Sequence, residues 1–189
     1  MAESKPPRIA VFLDRDGTIA EEVGYLNHAS RFQIFPFSAA AIRRLNDTGL
    51  PVVVVTNQSG VARGFFPEEL VHRVHERMIS ELATGGARLD AIYYCPHSSA
   101  DICACRKPQP GMLLRAAREH GLVLRGSWLV SDRYADLGMA HAAGCRSILV
   151  QTGYGRGEYE WNHSKWKHQP DHVVENLQDA VDIILKESR

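Results

Sequence analysis

The sequence predicts an open α/β fold of the Rossmann type, a mostly parallel sheet with helices on both faces. Three observations lead there. Apolar, nearly uncharged runs recur at Ile9–Leu13, Pro51–Val55, Leu89–Tyr94, Ser127–Val130 and Arg146–Val150, each the length of a strand buried on both faces. Helical stretches separate them, the alternation that builds parallel βαβ units. Several runs end in clusters of acids, hydroxyls and amides, the end of such a sheet where ligands bind.

The chain has 189 residues, enough for one domain over 1–189 with a substantial core. Residues 1–7 are polar and proline-bearing and read as a flexible tail without an apolar leader core, so a cytoplasmic location is expected. No apolar run approaches a membrane span. The formal net charge is zero, which argues against nucleic acid or an acidic membrane surface as partner. An anionic ligand must then be handled by local charge. The expected partner is a small molecule, and the expected state a monomer.

Element by element, the first strand delivers Asp14-Arg15-Asp16-Gly17-Thr18. One carboxylate there can attack a phosphoryl group while the other handles a proton. Solvated acids at a plain turn are the ordinary alternative. Ile19–Phe37 is longer than a tight connection needs and is expected to line or cover the site. Ser38 reads as the N-cap of a helix over Ala39–Leu45, stopped by Gly49. The second strand runs into Thr56-Asn57-Gln58-Ser59-Gly60, whose hydroxyl and amides suit phosphate oxygens. Pro67 and two acids open a helix to about Leu82 with Met78 in the core and His72 and His75 solvated or half-buried.

The third strand feeds Cys95, His97, Cys103 and Cys105, three thiols and an imidazole within eleven residues. That is a complete tetrahedral zinc set with no open position, hence a structural rather than a catalytic site. A disulfide from Cys95 to Cys103 or Cys105, or free thiols beside a bystander His97, are the alternatives. Arg106-Lys107-Pro108-Gln109-Pro110-Gly111 follows directly. It reads either as a charged, proline-rich turn or as a phosphate-clamping lysine beside a substrate-reading arginine. A helix over Met112–His120 comes next. The fourth strand ends at Ser131-Asp132, with Asp136 four residues on. The pair fits a magnesium ligand with a supporting carboxylate, and Asp132 also suits an N-cap. A small-residue helix over Leu137–Gly144, the fifth strand with Cys145 before it as a buried apolar residue, and a short strand at Asp171–Val174 complete the sheet. Gln151–Pro170, rich in glycine and aromatics, reads as a surface loop over the sheet edge. Asn176 caps a terminal helix over Leu177–Lys186.

These motifs together resemble the haloacid dehalogenase (HAD) superfamily of phosphohydrolases, and within it the heptose-bisphosphate 7-phosphatase branch, which makes heptose nucleotide precursors of lipopolysaccharide. The likeness runs from about Ile9 to the terminal helix. The cysteine loop joined to Arg106–Met112 discriminates best, and histidinol-phosphate phosphatases, with a similar loop, are the nearest alternative. The resemblance implies a HAD fold without a large cap domain. It implies Asp14 as nucleophile, Asp16 as acid and base, and Thr56 and Lys107 as holders of the transferring phosphoryl group. It implies catalytic Mg²⁺ at Asp14, the Asp16 carbonyl and Asp132, with Asp136 in support, and structural Zn²⁺ at the Cys3His set. Glu22, Val23, Gly24, Tyr25, Asn57, Gln58, Ser59, Arg106 and Arg133 are implied to bind the sugar phosphate. Two departures stand out: Ser131 precedes Asp132 where the family usually has Gly, and Arg133 replaces a common Lys.

Overall fold

The computed structural model describes residues 8–188, so the expected tail over residues 1–7 lies outside the described residues. Six parallel strands form one sheet in the order β3-β2-β1-β4-β5-β6. They are β1 (Val11–Leu13), β2 (Val52–Asn57), β3 (Ala91–Cys95), β4 (Trp128–Ser131), β5 (Arg146–Val150) and β6 (His172–Val174). β1 lies at the centre, with Val11 opposite Val52 on one side and Trp128 on the other. Chain order reverses across β1, which opens a crevice at its carboxyl end.

Strand alternation divides the core in two. Val11 and Leu13 face one apolar cluster with Ile42, Leu45, Met78 and Ile184. These come from α1 (Ser38–Asp47), α2 (Glu68–Thr84) and α6 (Leu177–Glu187). Phe12 faces the other, with Leu113, Ala116, Met139 and Ala140, from α3 (Gly111–His120) and α4 (Tyr134–Ala143). The connection from β1 to α1 contains only a 3₁₀ turn at Ala29–Arg31. It folds back on itself through Glu21 N–H to Gln33 O and Phe35 N–H to Ile19 O, so no cap domain is inserted there. Among the described residues, no helix is long and apolar enough to cross a membrane.

Several local expectations are corrected. Ser38 is the first helical residue rather than the cap, and its hydroxyl donates to Ile19 O at 2.7 Å, tying the long connection to α1. Asp132 is not an N-cap: α4 begins at Tyr134 with Arg133 in the cap position. Residues 151–170 are not a plain loop. They hold α5 (Gly155–Asn162) and a 3₁₀ turn at His163–Lys165. Two glycines depress helix propensity there, but Trp166 stacks on Tyr134 at 4.7 Å and fixes the segment from outside. Asn176 does cap α6, accepting from Gln178 N–H and Asp179 N–H. Cys145 is only partly buried, against the second cluster.

His75 is buried, not solvated, and its Nε2 has no partner. Burial, then the Arg15 charge, lowers its pKa to about 3. The unfolded chain takes up this proton near pH 6.5 and the folded chain does not. The stabilisation is therefore whole above pH 6.5 and is lost as pH falls towards 3. Between pH 6.5 and 5 the loss should be about 2 kcal/mol. Urea midpoints at pH 7 and 5 should diverge less for His75→Phe than for the wild type. Equal divergence would mean that His75 does not set the acid sensitivity.

Candidate active site

The carboxyl ends of β1, β2 and β4 converge on a cavity of about 370 Å³ lined by Asp14, Asp16, Thr56, Arg106, Lys107 and Asp136, among others. Asp14 follows β1 directly and is buried. Its Oδ1 accepts from Arg15 N–H at 2.7 Å, while Lys107 Nζ lies 2.9 Å from Oδ2. Ser131 Oγ, 3.4 Å away, faces the same oxygen, so the serine that replaces a glycine sits against the nucleophile candidate. Lys107 also donates to Asp136 at 2.5 Å and to Val55 O at 3.2 Å. Asp136 thus supports Lys107.

One lysine faces more buried carboxylate than it can neutralise. Burial opposes the Lys107 charge, but Asp136 and Asp14 outweigh it and push its pKa up. Asp14 is pushed up to about 7, chiefly by burial, with Asp136 and Asp16 adding and Lys107 opposing. Asp132, fully buried at the end of β4, is pushed up to about 8 by burial and by Asp14. Its Oδ2 accepts from Tyr154 N–H at 2.9 Å, and its Oδ1 has no partner. An orphaned, buried carboxylate oxygen beside a second carboxylate is a donor set for a hard divalent cation. Such a cation would reverse both shifts.

The turn after β5 closes over this acid. Thr152 Oγ1 donates to Gly17 O at 2.5 Å. A Cβ at Gly153, where φ is +54°, would overlap the Asp132 carboxylate and Gly17 Cα. Gly17 itself turns at φ +78° against the same carboxylate.

The remaining expected contacts divide. Gly24 and Tyr25 line the cavity. Glu22 lines it too, accepting from Gly24 N–H at 2.6 Å, with its pKa raised mainly by burial. Val23 instead packs against the core. Ser59 lines the cavity. Asn57 does so with its amide committed to the backbone of Lys107, accepting from Lys107 N–H at 3.1 Å. Gln58 Nε2 is spent on Asp16 Oδ2 (3.0 Å) and Thr56 Oγ1 (2.9 Å). Arg106 reaches the cavity while donating to His97 O at 3.0 Å. Arg133 lies over the Tyr154 ring at 4.3 Å and pairs with Glu158 at 3.0 Å. Arg15, Gly153, Tyr154 and Glu158 were not expected from the sequence. Of these only Arg15, standing between two motif acids, carried a signal there.

At the end of β3, Cys95, His97, Cys103 and Cys105 bring their ligand atoms within 4.8 Å of one another. Cys95 Sγ lies 3.8 Å from Cys103 Sγ and 3.2 Å from Cys105 Sγ, and His97 Nδ1 lies 3.5 and 3.3 Å from Cys95 and Cys105. A tetrahedron of zinc–ligand bonds of about 2.0–2.3 Å has edges of about 3.3–3.8 Å, so the set fits zinc. All four cysteines are free thiols, which sets the disulfide alternative aside. The loop leads into Arg106 and Lys107. It is locked at Gly111, whose N–H donates to Ala104 O and where a Cβ would strike that carbonyl.

The chain is similar to known proteins over nearly its whole length. Residues 104–180 match the HAD-hydrolase-like family model. The D-glycero-D-manno-heptose-1,7-bisphosphate 7-phosphatase of Thermosynechococcus vestitus is 43% identical, over 94% of this chain and 96% of its own. The D-glycero-beta-D-manno-heptose-1,7-bisphosphate 7-phosphatase of Escherichia coli is 38% identical, over 100% and 98%. A crystal structure of the D,D-heptose 1,7-bisphosphate phosphatase of B. bronchiseptica, complexed with magnesium and phosphate, superposes with a TM-score of 0.88 at 37% identity, over 95% of this chain and 99% of that one. At 38–43% identity over nearly the full length of these relatives, the chain belongs to the D-glycero-D-manno-heptose-1,7-bisphosphate 7-phosphatase family of HAD hydrolases.

Proposed function

We propose that the chain removes the 7-phosphate of D-glycero-D-manno-heptose 1,7-bisphosphate in a Mg²⁺-dependent reaction, through an aspartyl phosphate on Asp14, in the synthesis of heptose nucleotides for lipopolysaccharide. The observation that carries this reading is Asp14 paired with the buried Lys107 on the wall of one cavity, with Asp132 buried behind them. Asp14 attacks phosphorus through Oδ2, the oxygen that Lys107 marks. Lys107 and Thr56 hold the oxygens of the group in flight, and Asp16 gives the leaving sugar oxygen its proton. Phosphoryl transfer asks mainly for positioning and charge neutralisation, and these side chains supply both. Asp14, the Asp16 carbonyl and Asp132 would hold the magnesium ion, which when bound neutralises phosphate charge. Arg106 and Arg133, both on the cavity wall, are the cations available to a second phosphate.

The test is phosphate release from the bisphosphate, as each anomer, against histidinol phosphate, with Mg²⁺ or with EDTA. A strong, Mg²⁺-dependent preference for the bisphosphate supports the reading. A preference for histidinol phosphate moves the protein to a different pathway with the same chemistry.

The Cys3His set holds structural zinc in this reading. The purified protein should contain one zinc per chain, and Cys103→Ser should lose it and melt lower. A metal-free wild type with an unchanged melt would overturn the zinc assignment.

A further inference from the structure

Asp16 is held more firmly than a surface acid needs to be. Arg15 forks onto it, Nε to Oδ1 at 3.0 Å and Nη2 to Oδ2 at 2.8 Å, and Gln58 Nε2 adds a third bond at 3.0 Å. Arg15 is itself 2% exposed, and Asp16 is its one ion-pair partner among the described residues. Its Nη1 has no partner at all, and the Phe32 ring stands 5.8 Å from the guanidinium carbon. Burying a guanidinium with an unsatisfied nitrogen is costly. The backbone of the same residue donates to Asp14 Oδ1 and accepts from Ile19 and Ala20 N–H. A single residue thus braces both acids of the motif.

We infer that Arg15 is a positioning residue for the proton transfers of Asp16. The inference rests on the phosphatase reading above. In the first half-reaction the Asp14–phosphorus bond forms, the ester P–O bond breaks, and Asp16 gives its proton to the departing oxygen. In the second, a water oxygen bonds to phosphorus, the Asp14–phosphorus bond breaks, and Asp16 takes the water's proton. Both steps need the carboxyl within reach of an oxygen on phosphorus. An unbraced Asp side chain divides its time among rotamers. The planar two-point fork selects one, which an ammonium cannot do. Gln58 ties that choice to the phosphate end of the site, because its Nε2 also donates to Thr56 Oγ1.

The leaving group separates positioning from general damage. An alkyl phosphate needs a proton on its leaving oxygen, whereas p-nitrophenolate departs without one. kcat/KM reports only the steps through formation of the aspartyl phosphate. In Arg15→Lys, kcat/KM for the sugar phosphate should fall about tenfold or more, while kcat/KM for p-nitrophenyl phosphate should stay within about twofold. A loss of equal size on both substrates, or on neither, would overturn the inference. If Arg15→Lys gives no cooperative melt, Arg15→Gln, which keeps a planar donor without the charge, carries the same comparison. Asp14→Asn is run in parallel. If it still turns over p-nitrophenyl phosphate as the wild type does, the phosphatase reading itself fails, separately from the role of Arg15.

Discussion

Asp14→Asn is expected to lower kcat about ten-thousand-fold, the order of loss seen when a covalent nucleophile is removed. In EDTA it should also melt no lower than the wild type. The first half follows from the Asp14 carboxylate, which lies at 2.9 Å from Lys107 and opens on the cavity. An amide oxygen there still accepts the Lys107 hydrogen bond but is a far poorer nucleophile. The second half follows from the charge count. Asp14, Asp132 and Asp136 are all buried around one buried lysine. Removing one of the three crowded carboxyl groups relieves Asp132, whose pKa Asp14 helps to raise. Lys107 keeps Asp136 as its partner. A gain on the order of 1 kcal/mol is expected, the size common when a functional site gives up its stored repulsion. Mg²⁺ should then stabilise the mutant less than the wild type. A saturating ligand at 100 times its Kd contributes about 2.7 kcal/mol, a shift that scanning calorimetry with and without the ion resolves. Wild-type turnover in the mutant would rule out the aspartyl phosphate. A cooperative melt several degrees below wild type would mean that the carboxylates are not in mutual repulsion.

This site was legible where chemistry follows directly from a strand. Val52–Val55 is an unbroken β-branched run, and whatever follows it must emerge at the sheet's carboxyl end, so Thr56 was placed by local sequence alone. The same holds for Asp14 after β1, for Asp132 after β4 and for the cysteine loop after β3. What could not be read depends on partners distant in the chain. Gln58 and Asn57 look like free amides in sequence, but the fold commits one to Asp16 and Thr56 and the other to the backbone of Lys107. Ser38 has a capping residue's identity, yet Ile19 O takes its hydroxyl instead. α5 was missed because Gly155 and Gly157 speak against a helix. Its reasons are tertiary: Glu158 accepts from Tyr134 N–H at 2.6 Å and pairs with Arg133. The Arg133 that departs from the family's usual lysine therefore has its own fittings, a carboxylate for its Nε and the Tyr154 ring for its face.

Gly153→Ala is expected to weaken Mg²⁺ binding by about 10- to 100-fold, the usual loss when the groups behind a metal ligand are displaced. The glycine has φ +54°, a conformation that costs an L-residue about 1 kcal/mol. The larger effect is steric. The new Cβ would occupy the space of the Asp132 carboxylate and of Gly17 Cα, and Gly17 is fixed because its carbonyl accepts from Thr152. The turn must therefore lift. Lifting it takes Tyr154 N–H away from Asp132 Oδ2, the bond that leaves Oδ1 as the unpaired oxygen. A carboxylate without that bond can rotate, and the oxygen pair it offers with Asp14 is no longer preset. Gly157→Ala is the matched control, since a Cβ there meets nothing within 4 Å. Mg²⁺ affinity from calorimetric titration should fall in the first variant and stay at the wild-type value in the second. If both folded variants bind Mg²⁺ within about twofold of wild type, a shift below the tenfold expected from supporting groups, the turn after β5 does not position Asp132. Its tight packing against Gly17 would then serve the fold alone.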